Sequence, residues 1–194
     1  MTAPIAVPDW LVPASCEIGL KRQVVQHRSG LSGVFQSVEL GAEYWVMNIS
    51  TPPRVRGSSG RDEAFFNQLV GGAQPVELWH FARPEPAGTV RGSPVVNATV
   101  AQFSRTIQIT TTGTLVAGDM FGIGSQLFQV ASASLAGSVL TVTTVNRSRV
   151  QIAAGASVVW YRPKASFVMV EDASAFVHRA GSMAGSSFSF VEAV

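Results

Sequence analysis

The sequence predicts a mainly β protein with one short helix and, in its second half, a separate small β-barrel or β-sandwich unit. Three observations predict this. Alternating β-branched and aromatic residues recur along most of the chain, broken by glycine, proline, serine and asparagine turns. Only one window combines helical apolar spacing with helix end signals. Of the 194 residues, 46% are apolar and 13% charged. A typical soluble domain has about 25% charged residues, so the chain can bury a core and is poor in solvating groups.

Taken in order, a segment bearing Pro4, Pro8 and Pro13 leads into the strand patterns "EIGLKRQVVQHRS" and "VFQSVELGAEYWVMNIS", with "GLSG" as the turn between them. In the second pattern Tyr44, Val46 and Asn48 alternate with Trp45, Met47 and Ile49. Both faces carry bulk, as expected where one covers a core and the other meets a neighbour. "PPRVRGSSGR" reads as a loop presenting Arg54, Arg56 and Arg61, either solvated or facing acids of another subunit or nucleic acid. The helix follows in "SSGRDEAFFNQLVGG". Ser59 is its expected N-cap, Asp62 and Glu63 its first-turn acids, Phe65, Phe66, Leu69 and Val70 its apolar stripe, and Gly71 its stop. So short a helix must pack on the sheet. "PVELWHFARP" is a strand closed by Pro84 and Pro86, and "PEPAGTVRGSP" crosses into a new unit.

From residue 88 to 164 only strand-and-turn units appear: "RTIQITTTG", "DMFGIGS", "QLFQVAS", "SVLTVTTVN" and "ASVVWYRP". Asp119 is the sole charge between residues 106 and 146, so this run must stay dry or touch something. Its period is that of strands, so it belongs to the core of a small β-unit. No apolar run of about 20 residues lacks polar interruption, and no membrane span is expected. The closing segment returns to longer strands, with Phe188, Phe190 and Val194 on one face.

The N-terminal residues have no basic start and do not suit a secretory signal. The sequons at Asn48, Asn97 and Asn146 then read as chance. Cys16 is the single cysteine, which excludes an internal disulfide and a cysteine metal cluster. A net charge of +2 does not by itself indicate polyanion binding.

Chemistry-bearing motifs are thin. "GIGSQL" lacks the third glycine of a dinucleotide fingerprint and a following helix; Gly122 and Gly124 read instead as hairpin glycines needing positive φ. His27, His80 and His178 lie far apart without metal-binding spacing, and no serine sits in a nucleophile elbow. Asp119 suits a turn that bonds its own backbone, and Glu171 with Asp172 reads as a solvated pair on a turn. No enzyme activity, cofactor or metal is expected. Trp160 and Tyr161 are the only adjacent aromatic pair of the second unit, and a glycan-binding alternative would rest on them.

Two strands, a helix, a further strand, an inserted β-unit and closing strands together resemble the tail-tube fold of long-tailed bacteriophages. "WLVPAS", "GTVRGSPVVN", "LVAGDMFGIGSQLFQV" and "VVWYRPKASFVMV" look like segments of the distal tail (Dit-like) proteins. The resemblance runs from Trp10 to Val194. It implies a tail-tube-like β-sandwich or split barrel over residues 1–87 and 165–194, with a small all-β domain inserted over 88–164. It further implies a virion protein assembled in the bacterial cytoplasm into a hexameric ring at the distal end of the tail tube. Such a ring contacts tube protein above and hub or fibre proteins below, with the tape measure protein a further possible neighbour, and lets DNA pass transiently without specific binding. A tube, terminator or hub subunit is the alternative within the same machine. In several relatives an additional domain decorates the outside of the ring, and the insert here departs from the larger galectin-like version in being small and in sitting between strands of the main domain.

A ring contact is heterologous and needs two different adhesive surfaces. The expected lateral contacts are Tyr44, Trp45 and Met47 with Leu78, Trp79 and Phe81. Phe65, Phe66 and Leu69 are expected to pack on the sheet, and arginines near a channel are expected to pair with acids or face outward.

Overall fold

The computed structural model describes residues 3–28, 30, 32–39, 43–180, 182–183 and 185–193; the side chains of Arg56, Arg179 and Met183, and Val194 as a whole, lie outside that description. The protein is mainly β with one short helix. In chain order the elements are β1 (Ile5–Ala6), β2 (Ser15–Lys21), β3 (Val24–Arg28), β4 (Phe35–Glu39), β5 (Tyr44–Ser50), β6 (Arg54–Val55), α1 (Arg56–Asn67) and β7 (Val76–Leu78). Then come β8 (Val95–Val96), β9 (Thr106–Thr110), β10 (Met120–Ile123), β11 (Gln126–Ala136), β12 (Val139–Thr144) and β13 (Val158–Val159). The chain closes with β14 (Ala165–Met169), β15 (His178–Arg179), β16 (Ser182–Met183) and β17 (Ser187–Glu192).

The first sheet has the order β1-β7-β14-β17-β5-β2, antiparallel except for the β1–β7 pair. The period-2 pattern sorts its faces. Met47 and Ile49 of β5 lie opposite Phe190 and Phe188 of β17, Trp45 shares their face, and all five are buried. The opposite face carries Tyr44, Val46 and Asn48 and remains partly open. Helix α1 covers one end of the buried face, where Phe66 stacks on Phe188 at 4.0 Å between ring centroids. Phe65 and Leu69 are buried beside it.

The helix begins earlier than expected. Val55, extended at φ −73° and ψ 152°, is its N-cap and makes no side-chain cap bond; Ser59 lies inside the helix, and no acid occupies the first turn. The cause is tertiary. Arg54 of β6 donates Nε to Asp62 Oδ2 at 3.0 Å, and Asp62 is fully buried, so the strand and helix are tied together across the start. Gly71 does take a left-handed φ of +63° after the helix, and its N–H donates to Glu171 O.

The second sheet, β13-β10-β11-β12-β9-β8, curls until a bridge from Val95 to Ser157 brings its two edges together, giving a nearly closed six-strand barrel-like unit. Its interior holds Ile107, Ile109, Leu140 and Val142 with Phe121 and Phe128, whose rings stack at 5.4 Å. The low-charge run is thus β9 to β12 and fills this interior. Gly124 takes φ +59° in the β10–β11 turn. Gly122, contrary to expectation, is an ordinary strand residue lying against Pro163.

Asp119 fastens the entry to the barrel. Its carboxylate accepts N–H bonds from Ala87 at 2.8 Å, Gly88 at 3.0 Å and Val116 at 2.9 Å. The expectation of a purely local turn bond holds only for Val116; the other two amides belong to the crossing segment. At this crossing a Cβ on Gly88 would lie 2.2 Å from Thr114 O, so only glycine fits.

Among the described residues, no helix is long and apolar enough to cross a membrane.

Candidate functional site: an exposed arm and an apolar groove

Among the described residues, β3 and β4 pair only with each other. They prolong the β2–β5 ribbon beyond the sheet, since Lys21 faces Tyr44 and, after a break, Val24 faces Glu39. Every residue of both strands is exposed. This arm carries Val24, Val25, Val34, Phe35 and Val38 at 41–60% exposure. An isolated two-stranded hairpin is at best marginally stable in water, and apolar side chains on both faces deepen its need for a partner.

The base of the arm is clamped to the barrel by charge. Glu43 is buried and accepts from Arg105 Nη2 at 2.7 Å, Arg22 Nε at 3.2 Å and the Arg147 amide at 2.8 Å. Glu39 accepts from Arg147 Nη2 at 2.5 Å, and Arg22 also donates to Val145 O. Replacing Glu43 with alanine leaves a buried amide and two guanidinium groups without this acceptor, a loss of about 1–3 kcal/mol. Hydrogen exchange should then quicken across residues 24–39 while Met47 and Phe190 stay protected.

A second feature lies by the start of β2. Leu11, Val12, Pro13, Cys16, Trp79 and Phe81 line an open groove of about 320 Å³. Arg162 lies over the rings of Trp79 and Tyr161 at 5.2 and 5.4 Å. It also approaches Asp9 at 3.8 Å, whose side chain is 99% exposed. Burial pushes the Cys16 thiol above its ordinary range, a backbone hydrogen bond at Phe81 opposes this, and Glu17 adds to it. Next to the groove, burial and then the Arg83 charge hold His80 below the ordinary histidine value. Its Nε2 accepts from Arg83, consistent with a neutral structural ring.

These positions correct several expectations. Trp45, Met47 and Leu78 are core residues at 3%, 0% and 1% exposure and cannot form a lateral contact. The bulk on the buried face of β5 meets the barrel of its own chain: Trp45 Nε1 donates to Leu127 O at 3.0 Å, and Met120 and Leu127 join the same core. Tyr44 is half-buried on the opposite face, under Lys21 Nζ at 5.9 Å. Trp79, at 8% exposure, is likewise a core residue that reaches the groove wall, and the half-buried Phe81 lines the groove.

Arg54 and Arg61 are not on a loop either. Arg54 is paired with Asp62, and Arg61 sits in α1 over the Trp10 ring at 4.8 Å. The Arg56 side chain lies outside the described residues. Glu171 accepts from the Ser189 amide, so it is not simply solvated. The Trp160 and Tyr161 rings are inclined at 60°, Arg91 covers Trp160 at 4.9 Å, and the indole N–H donates to Gly92 O. Two tilted rings, each covered by an arginine, form no flat platform for a sugar. Among the described residues no group of three or more His, Cys, Asp or Glu side chains is placed to hold a metal.

The signal for the arm was present in the sequence: two β-rich runs around "GLSG" in which neither face is consistently polar. No known family model matches the chain, and the curated proteins contain no match to it.

Proposed function

We propose that this protein is a structural ring subunit of the distal tail of a long-tailed bacteriophage, linking tail tube to tail tip around a channel for DNA. The observation that carries the reading is the arm, whose exposed apolar side chains are anchored by a charged clamp and therefore held out in a set direction. A protein that assembles with copies of itself makes use of such a projection; a monomer does not. The mainly β architecture and the insertion between β7 and β14 accord with the resemblance to distal tail proteins. Phe103 adds support. It holds a left-handed φ of +65° while 60% exposed, a conformation costing about 1–2 kcal/mol outside glycine, which suits an aromatic presented to a partner.

Mass measurement over a range of concentrations tests the reading. The wild-type protein should associate, with six copies as the closed species. The variant Phe35→Asp alters a single exposed position that faces Arg28 across the hairpin, so its fold should persist while association weakens about a hundredfold. Images and copy numbers of intact particles should place a single ring at the tail tip. A protein that stays monomeric at all concentrations and is absent from particles overturns the proposal, and many stacked copies would reassign it to the tube.

A further inference from the structure

The arm and the groove stand at opposite ends of one edge strand. β2 starts by the groove at Ser15 and Cys16 and leads into the arm beyond Lys21. Its seven residues separate the two features by about 20 Å at roughly 3.3 Å per residue. The arm follows on from there with both of its faces exposed.

We infer that the arm of one copy seats in the groove of the next, with Phe35 entering against Phe81 and Arg28 reaching Asp9. This deepens the ring-subunit reading and rests on it. Arg28 lies directly opposite Phe35 in the hairpin register, and directly opposed residues share a face. That face therefore offers an aromatic ring beside a cation. The groove offers the complement, an apolar lining with an exposed carboxylate at its rim. Arg162 is stacked on Trp79 and Tyr161 and reaches Asp9 only at 3.8 Å, so Asp9 is open to a second cation. Donor and acceptor surfaces differ and lie apart on the same chain, so the contact is head-to-tail and closes into a ring when its rotation divides the circle.

Cys16 lines the groove and is the only cysteine, which makes it a reporter. Ser37 shares the Phe35 face, since residues two apart on a strand point the same way. In the full-length protein, Ser37→Cys or Phe35→Cys should give, on mild oxidation, a ladder of disulfide-linked dimers, trimers and higher multiples. Adding Cys16→Ser should remove every band beyond the dimer. Arg28→Asp and Asp9→Arg should each raise the concentration needed for association about tenfold, a change of about 1.4 kcal/mol, and the two together should restore it. If neither cysteine variant links to Cys16, or the charge swap fails to rescue, while the wild type still associates, the pairing of arm with groove is overturned and the ring reading stands. If the wild type never associates, both fail.

Discussion

Asp119→Ala should lower the unfolding free energy by about 4 kcal/mol, the largest loss expected from a single side chain of this size in the protein. The carboxylate satisfies three backbone amides, of Ala87, Gly88 and Val116, and is itself buried. A hydrogen bond to a charged group contributes about 1.5–3 kcal/mol, and an unpartnered buried donor costs about 1–3 kcal/mol. Water reaching the opened site recovers part of that sum. The crossing cannot adjust by sliding, because Gly88 and Gly113 already bring two backbones into contact. Asp119→Asn keeps one acceptor oxygen and should lose about half as much. Urea unfolding followed by tryptophan fluorescence measures both. A loss below about 1 kcal/mol for the alanine variant would show that these amides find other partners and that the clasp is dispensable.

Trp45→Ala should cost about 4 kcal/mol, within the range for removing a buried aromatic. The residue is 3% exposed in the core shared by the first sheet and the barrel. Its indole N–H bonds Leu127 O, and its backbone N–H donates to Glu192 Oε2 at 3.0 Å. Trp45→Phe keeps most of the packing and loses the indole bond. It should cost only about 1–2 kcal/mol, because Leu127 O still accepts from Asn146 Nδ2 at 2.8 Å. Glu192 lies at the same junction. Burial pushes its carboxyl above the ordinary range, and the paired Arg149 acts in the opposite direction. A Trp45→Ala protein that unfolds at the wild-type urea concentration would mean that the two units are held together without this contact.

The element types were legible because periodicity is a local property. The runs at 106–110, 120–123 and 139–144 form strands as their alternation indicates, and the one helical window forms the one α-helix. The helix start was not legible. Ser59 is a good N-cap by local preference, but the ion pair of Arg54 with Asp62 draws the start back to Val55. Asp119 likewise looked like a turn residue, because two of its three amide partners are about thirty positions away in the chain.

The candidate interface divides in the same way. By itself the sequence determined that this chain is β-rich, sparing with charge, and supplied with more apolar strand surface than polar surface. Trp45 and Phe35 both stand in alternating strands and cannot be told apart on that ground. Only the tertiary structure decided that Leu127 of the barrel lies over Trp45 while Phe35 projects on an arm. Whether a strand face is core or contact depends on what the remote chain places over it, and alternation records only that the face is apolar.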